Sequence, residues 1–113
     1  SGTKLMELFS QIAFRGGEGV SHGVQLEISK DGKLLSATLH GKPIDPVAHY
    51  RVATIDYLSQ GNDEMVAFKS GTKLVSPQSE RNNMRYIICD YFRTQAANGL
   101  SVTAKIEGRI VIK

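Results

Sequence analysis

The sequence predicts an α+β fold, a small and mostly antiparallel or mixed sheet packed against two main helices in the order α-β-β-β-α-β. Three observations carry this expectation. Apolar residues fall on one helical face at the start of the chain (Leu5, Leu8, Phe9, Ile12) and again late in it (Met84, Ile87, Ile88, Tyr91, Phe92). Between these stretches, Val24, Leu26 and Ile28 alternate with Gln25 and Glu27, the period of a half-buried strand. The length, 113 residues, suits one core and one domain, residues 1–113.

The elements follow in order. Ser1 or Thr3 caps the first helix, and Arg15-Gly16-Gly17-Glu18-Gly19 ends it with glycines suited to a left-handed exit. After the strand from Val24 to Ile28, Lys30-Asp31-Gly32-Lys33 makes a hairpin turn, and residues 34–39 return as a second strand. Pro43 and Pro46 shape a turn before a third strand over residues 50–55. Asp56 caps a short helical turn that leads to the loop Gly61-Asn62-Asp63, whose residue types tolerate unusual backbone conformations. Residues 65–68 form another helical turn or a short strand. Ser79 caps the long second helix, whose stripe is expected to face the core, and Asn98-Gly99 closes it. Residues 105–113 form the last strand, with Ile106, Ile110 and Ile112 on one side.

Composition removes several classes of function. Hydrophobic residues make up 41% and charged residues 22%, as in ordinary globular domains. No apolar run approaches membrane-spanning length. A net charge of +3, dispersed along the chain, does not make a nucleic-acid-binding surface. The basic cluster from Arg81 to Arg85 reads as a solvated helix face. The single cysteine, Cys89, excludes an intrachain disulfide and reads as a small apolar filler on a helix flank.

No catalytic constellation is visible. His22, His40 and His49 stand in loops and strand ends, without the spacing of a metal site. Ser59, Ser70, Ser76, Ser79 and Ser101 lack a Gly-x-Ser-x-Gly setting. Gly16-Gly17-Glu18-Gly19 is glycine-rich, but no Gly-Lys-Ser or Gly-Lys-Thr follows, so it reads as a helix exit rather than a phosphate loop.

Four segments in order carry a resemblance. Ser1-Gly2-Thr3-Lys4-Leu5 looks like a Ser-Gly-x-x-Leu helix start. Leu39-His40-Gly41-Lys42-Pro43-Ile44-Asp45-Pro46 looks like an Asn-Gly-Lys-Pro-Ile-Asp-Pro lead-in. Tyr50-Arg51-Val52-Ala53-Thr54-Ile55-Asp56-Tyr57-Leu58, followed by Gly61-Asn62-Asp63, looks like a Tyr-x-Val-Ala-Thr-Asn-Asp-Tyr-Leu strand and its Gly-Gly-Asp loop. Glu107-Gly108-Arg109-Ile110 looks like a closing Glu-Gly-Arg-Ile. Together they resemble the C-terminal, substrate-recognition domain of the 5′-nucleotidase family.

The resemblance implies a domain that holds a nucleotide or related phosphoester for a metallophosphoesterase, with the nucleobase between two aromatic rings. It implies a substrate-binding loop of Gly61, Asn62, Asp63, Met65 and Phe68, in which Glu64 replaces a glycine and Met65 an aromatic residue. The second ring belongs to a family segment without a counterpart here, so a partial domain is expected. No catalytic or metal-binding residue is expected in this chain. Divalent metals belong to the catalytic partner, a separate domain or protein, and a hydrolase-family chain of this kind is expected to be inactive alone. A periplasmic or extracellular setting follows from the family, as does association with a nucleotide. An uncovered sheet edge offers a route to a homodimer. The alternative is a domain that has lost recognition and serves structure or assembly, decided by whether Met65 and Phe68 are exposed or buried.

Overall fold

The computed structural model describes residues 1–73 and 79–113. Ser76 lies outside the described residues. The chain forms two compact units: Ser1–Gly71 together with Glu107–Lys113, and Thr72–Ile106. The first contains helix α1 (Gly2–Phe14), strands β1 (Val24–Ile28), β2 (Leu34–Leu39) and β3 (Lys42–Pro43), the short helix α2 (Asp56–Ser59), a 3₁₀ turn (Val66–Ser70) and strand β4 (Ile110–Ile112). The second contains a 3₁₀ turn (Glu80–Asn82) and helix α3 (Met84–Ala97). The α+β class and the order α-β-β-β-α-β are those the sequence predicts.

The sheet runs β3-β2-β1-β4. β1 pairs antiparallel with β2, with Leu26 opposite Ala37, and parallel with β4, with Leu26 opposite Ile110. Alternation along β1 sends Val24, Leu26 and Ile28 into the core and turns Gln25 outward. Leu8, Phe9, Ile12 and Ala13 of α1 are buried in the same core, with Ala37, Ile44, Met65 and Ala67. The hairpin closes where predicted: the Ser29 amide donates to the Lys33 carbonyl at 2.9 Å, and Gly32 takes φ +80°.

The start of α1 is built into the loop that follows β3. The amides of Gly2 and Thr3 donate to the carbonyls of Ala48 (2.9 Å) and Pro46 (3.1 Å), satisfying two of the donors that a helix N-terminus leaves free. Ser1 stands at the cap position without a side-chain bond. A Cβ on Gly2 would lie 1.8 Å from the Asp45 carbonyl oxygen, so only glycine admits this approach. The helix ends as predicted, with Gly16 and Gly17 at φ +82° and +113° and their amides bonded to Ala13 and Ile12 carbonyls.

Four expectations change. Residues 50–55 are not a ladder strand, and the third strand is the two-residue β3. Both hydrogen-bonding sides of β1 and of β2 are already taken, which leaves only the outer edges of the short strands β3 and β4, and this segment pairs with neither. The last strand is confined to Ile110–Ile112. Gly108, at φ +66°, interrupts the extended path, and Ile106 is fully exposed. The long helix is capped by Asn83, whose side chain accepts from the Arg85 amide, and Ser79 instead precedes the 3₁₀ turn.

The fourth change is the largest. Met84, Ile87, Ile88, Tyr91 and Phe92 are 49–60% exposed, and the described residues of their own unit form no core for them. A helical apolar stripe is buried only by an opposing surface, and the described part of Thr72–Ile106 contributes only one short 3₁₀ turn besides the helix. Cys89, on the same helix, is an exposed free thiol rather than a filler.

Candidate functional site

The loop over residues 61–68 is held by its own side chains and by α1. The Asp56 carboxylate accepts from the Tyr57 amide (2.8 Å), but Asp56 is the first residue of α2 rather than its cap, and Ile55 stands at the cap position without a side-chain bond. Gly61 turns at φ +80°, and the Lys69 side chain lies over it, with Cε 2.6 Å from where a Cβ would stand. The Asn62 side-chain Nδ2 donates to the Tyr57 carbonyl (2.7 Å), and the Tyr57 hydroxyl donates to Asp63 (3.3 Å). Asp63 and Glu64 both take left-handed backbone conformations, φ +53° and +62°. Asn62 and Asp63 thus serve the turn through local bonds, as their residue types suggest.

Two contacts tie this loop to α1. The Ala67 amide donates to the Gln11 side-chain oxygen (3.1 Å), in a half-buried setting. Arg15 bonds Glu18 through Nε (3.0 Å) and reaches Asp63 at 3.9 Å. Its guanidinium pKa is raised, first by the bond to Glu18 and then, less strongly, by the charge on Asp63.

Of the five residues expected to bind substrate, Gly61, Asn62 and Asp63 form the turn, whereas Met65 and Phe68 pack against the core. Met65 is 2% exposed and belongs to the core, so its thioether offers no free face. Phe68 is half-buried against the same core. The aromatic ring beside the turn that does reach solvent is Tyr57, at 50% exposure. The sequence reading missed Tyr57 because it stood inside the helical turn, and the (i, i+6) relation to Asp63 was the signal that could have exposed it.

A second cluster joins the glycine loop after α1 to β4. Glu107 accepts from Arg109 (2.7 Å) and meets His22 Nδ1 at 3.1 Å, while Arg109 donates to the Val20 carbonyl (2.7 Å). The His22 bond, followed by the Arg109 bond, holds the Glu107 pKa below the usual carboxylate range. His40 packs its ring over Gly23, where a Cβ would meet it at 2.3 Å. Among the described residues, no three of His, Cys, Asp and Glu come together in a way that could hold a metal ion. No helix among them is long and apolar enough to cross a membrane.

Helix, hairpin and ordered turn define the class: a small α+β domain in which one helix and its sheet present a polar loop at the domain surface. A family model described as "5′-nucleotidase, C-terminal domain" matches residues 2–70, well over half of the 113 residues. The chain belongs to that family. No match is found among curated proteins.

Proposed function

We propose that this chain is a substrate-recognition domain of a 5′-nucleotidase-like metallophosphoesterase system. It holds a nucleotide or related phosphoester beside the turn at Gly61, Asn62 and Asp63 and supplies no catalytic residue. The observation that carries this reading is that the family match, residues 2–70, takes in the whole loop. In this reading Tyr57 and the accessible part of Phe68 meet the base, while Met65 supports the loop from the core. The metals and the hydrolytic step belong to the partner, an N-terminal catalytic domain or a separate protein. The proposal extends to a periplasmic or extracellular setting, and to self-association through β4, an edge strand with Val111 and Ile112 exposed.

Calorimetric titration with adenosine 5′-monophosphate tests recognition. Stacking on a single ring contributes about 1–3 kcal/mol; with about 1–2 kcal/mol more from hydrogen bonds at the turn, binding near a Kd of about 1 mM is expected. Adenosine alone should retain most of that affinity and inorganic phosphate very little. A wild-type protein silent to all three would favour the second reading, a domain that serves structure or assembly. The burial of Met65 is the specific observation on that side.

A further inference from the structure

Gln11 lies in the last turn of α1 and Arg15 at its C-cap, four residues on, with the Arg15 amide bonded to the Gln11 carbonyl at 3.3 Å, so the two side chains leave the same side of the helix end. Each engages one end of the same loop. Gln11 accepts the Ala67 amide at 3.1 Å, just after the buried anchor Met65. Arg15 reaches Asp63 at 3.9 Å, and Asp63 also accepts from the Tyr57 hydroxyl. Between these ends run two consecutive left-handed residues, Asp63 and Glu64, neither of them glycine. Such a backbone costs free energy and persists only where its surroundings hold it.

We propose that Gln11 and Arg15 are positioning residues that clamp the loop over residues 61–68 onto α1 and so fix Tyr57, Asn62 and Asp63 in the shape that meets a ligand. The bearing on a ligand rests on the recognition reading above; the clamp itself does not. The Gln11 bond supplies a partner for a backbone amide that would otherwise be left unsatisfied near the core. The Arg15 contact is longer and more exposed, and its role is to bias Asp63 toward the Tyr57 hydroxyl.

The test is residue-resolved amide exchange on the full chain for wild type, Gln11→Leu, Gln11→Glu, Arg15→Ala and Arg15→Lys. Gln11→Leu removes the acceptor and should speed exchange at Ala67 and Phe68 about tenfold, with no matching change at Leu26 and Ile28 of β1. Gln11→Glu keeps an acceptor and should restore protection. Arg15→Ala should speed exchange at Met65 severalfold, and Arg15→Lys should recover part of it. Loop exchange that stays at the wild-type rate, or that rises only in step with β1, overturns the clamp. So does a Glu or Lys variant no better protected than its truncated counterpart. Adenosine 5′-monophosphate titrated into the same samples should bind more weakly wherever the loop opens. A wild type that does not bind it rejects the recognition reading and leaves the exchange rates to decide the clamp.

Discussion

Glu64 stands where the family loop carries a glycine, and its backbone sits in the left-handed region at φ +62°. For an L-residue other than Asn or Asp, this conformation costs about 1–2 kcal/mol. Glu64→Gly removes that cost. Glycine also gives the unfolded chain more freedom, which offsets about 0.5–1 kcal/mol. The side chain itself contributes little, since it is exposed and only adds to the field at Arg15 as the smallest of several causes. The balance is a stabilisation of about 0.5–1 kcal/mol. Urea unfolding followed through β1 resonances, which report on the unit containing the loop, should show the midpoint rising with an unchanged slope. Asp63→Gly is the control. It relieves milder strain and removes the acceptor for Tyr57 and the partner of Arg15, so it should give no gain. A lower midpoint for Glu64→Gly would refute the reasoning and assign Glu64 a side-chain role.

Three further outcomes follow from the same geometry. Gly2→Ala drives a Cβ to within 1.8 Å of a backbone carbonyl that cannot rotate away, so it should lower stability by about 1–3 kcal/mol, measurable in the same unfolding experiment; a neutral result would mean the helix start is not docked on residues 45–48. Met65→Tyr inserts a larger, polar-tipped ring into a filled site and should cost about 1–3 kcal/mol without tightening nucleotide binding, so tighter binding would show that Met65 reaches the ligand. Glu107 has a folded pKa below its unfolded value of about 4.3. The stability it contributes is therefore complete above that pH and is lost as pH falls through the folded value. Glu107→Gln should flatten this part of the acid limb, and an acid limb identical to wild type would remove the His22–Glu107–Arg109 cluster from the account.

Where the sequence was legible, local chemistry and global packing agreed. The alternation at Val24, Leu26 and Ile28, the hairpin at Gly32 and the helix exit at Gly16 and Gly17 are each written in a few neighbouring residues, and each forms where expected. Residues 50–55 carry equally good β-forming side chains, but a strand also needs an open neighbour, and the ladder positions beside β1 and β2 are filled by each other, by the adjacent β3 and by the distant β4. The stripe on α3 has the spacing of a core face, yet spacing says nothing about what covers it. The loop divides in the same way. Its turn at Gly61, Asn62 and Asp63 was readable from residue type. The burial of Met65 and the reach of Gln11 and Arg15 were not, because they depend on α1 lying against a loop some fifty residues away.

The central claim is that the loop beside Tyr57 meets a nucleotide. Its most direct test is a chemical-shift titration of the ¹⁵N-labelled chain with adenosine 5′-monophosphate, carried to about ten times the expected millimolar Kd. The account predicts saturable shifts concentrated at residues 57–68, with Tyr57 and Asp63 among the largest, and no shift at the hairpin turn around Gly32. Saturable shifts centred away from the loop, or none across the titration, would contradict it.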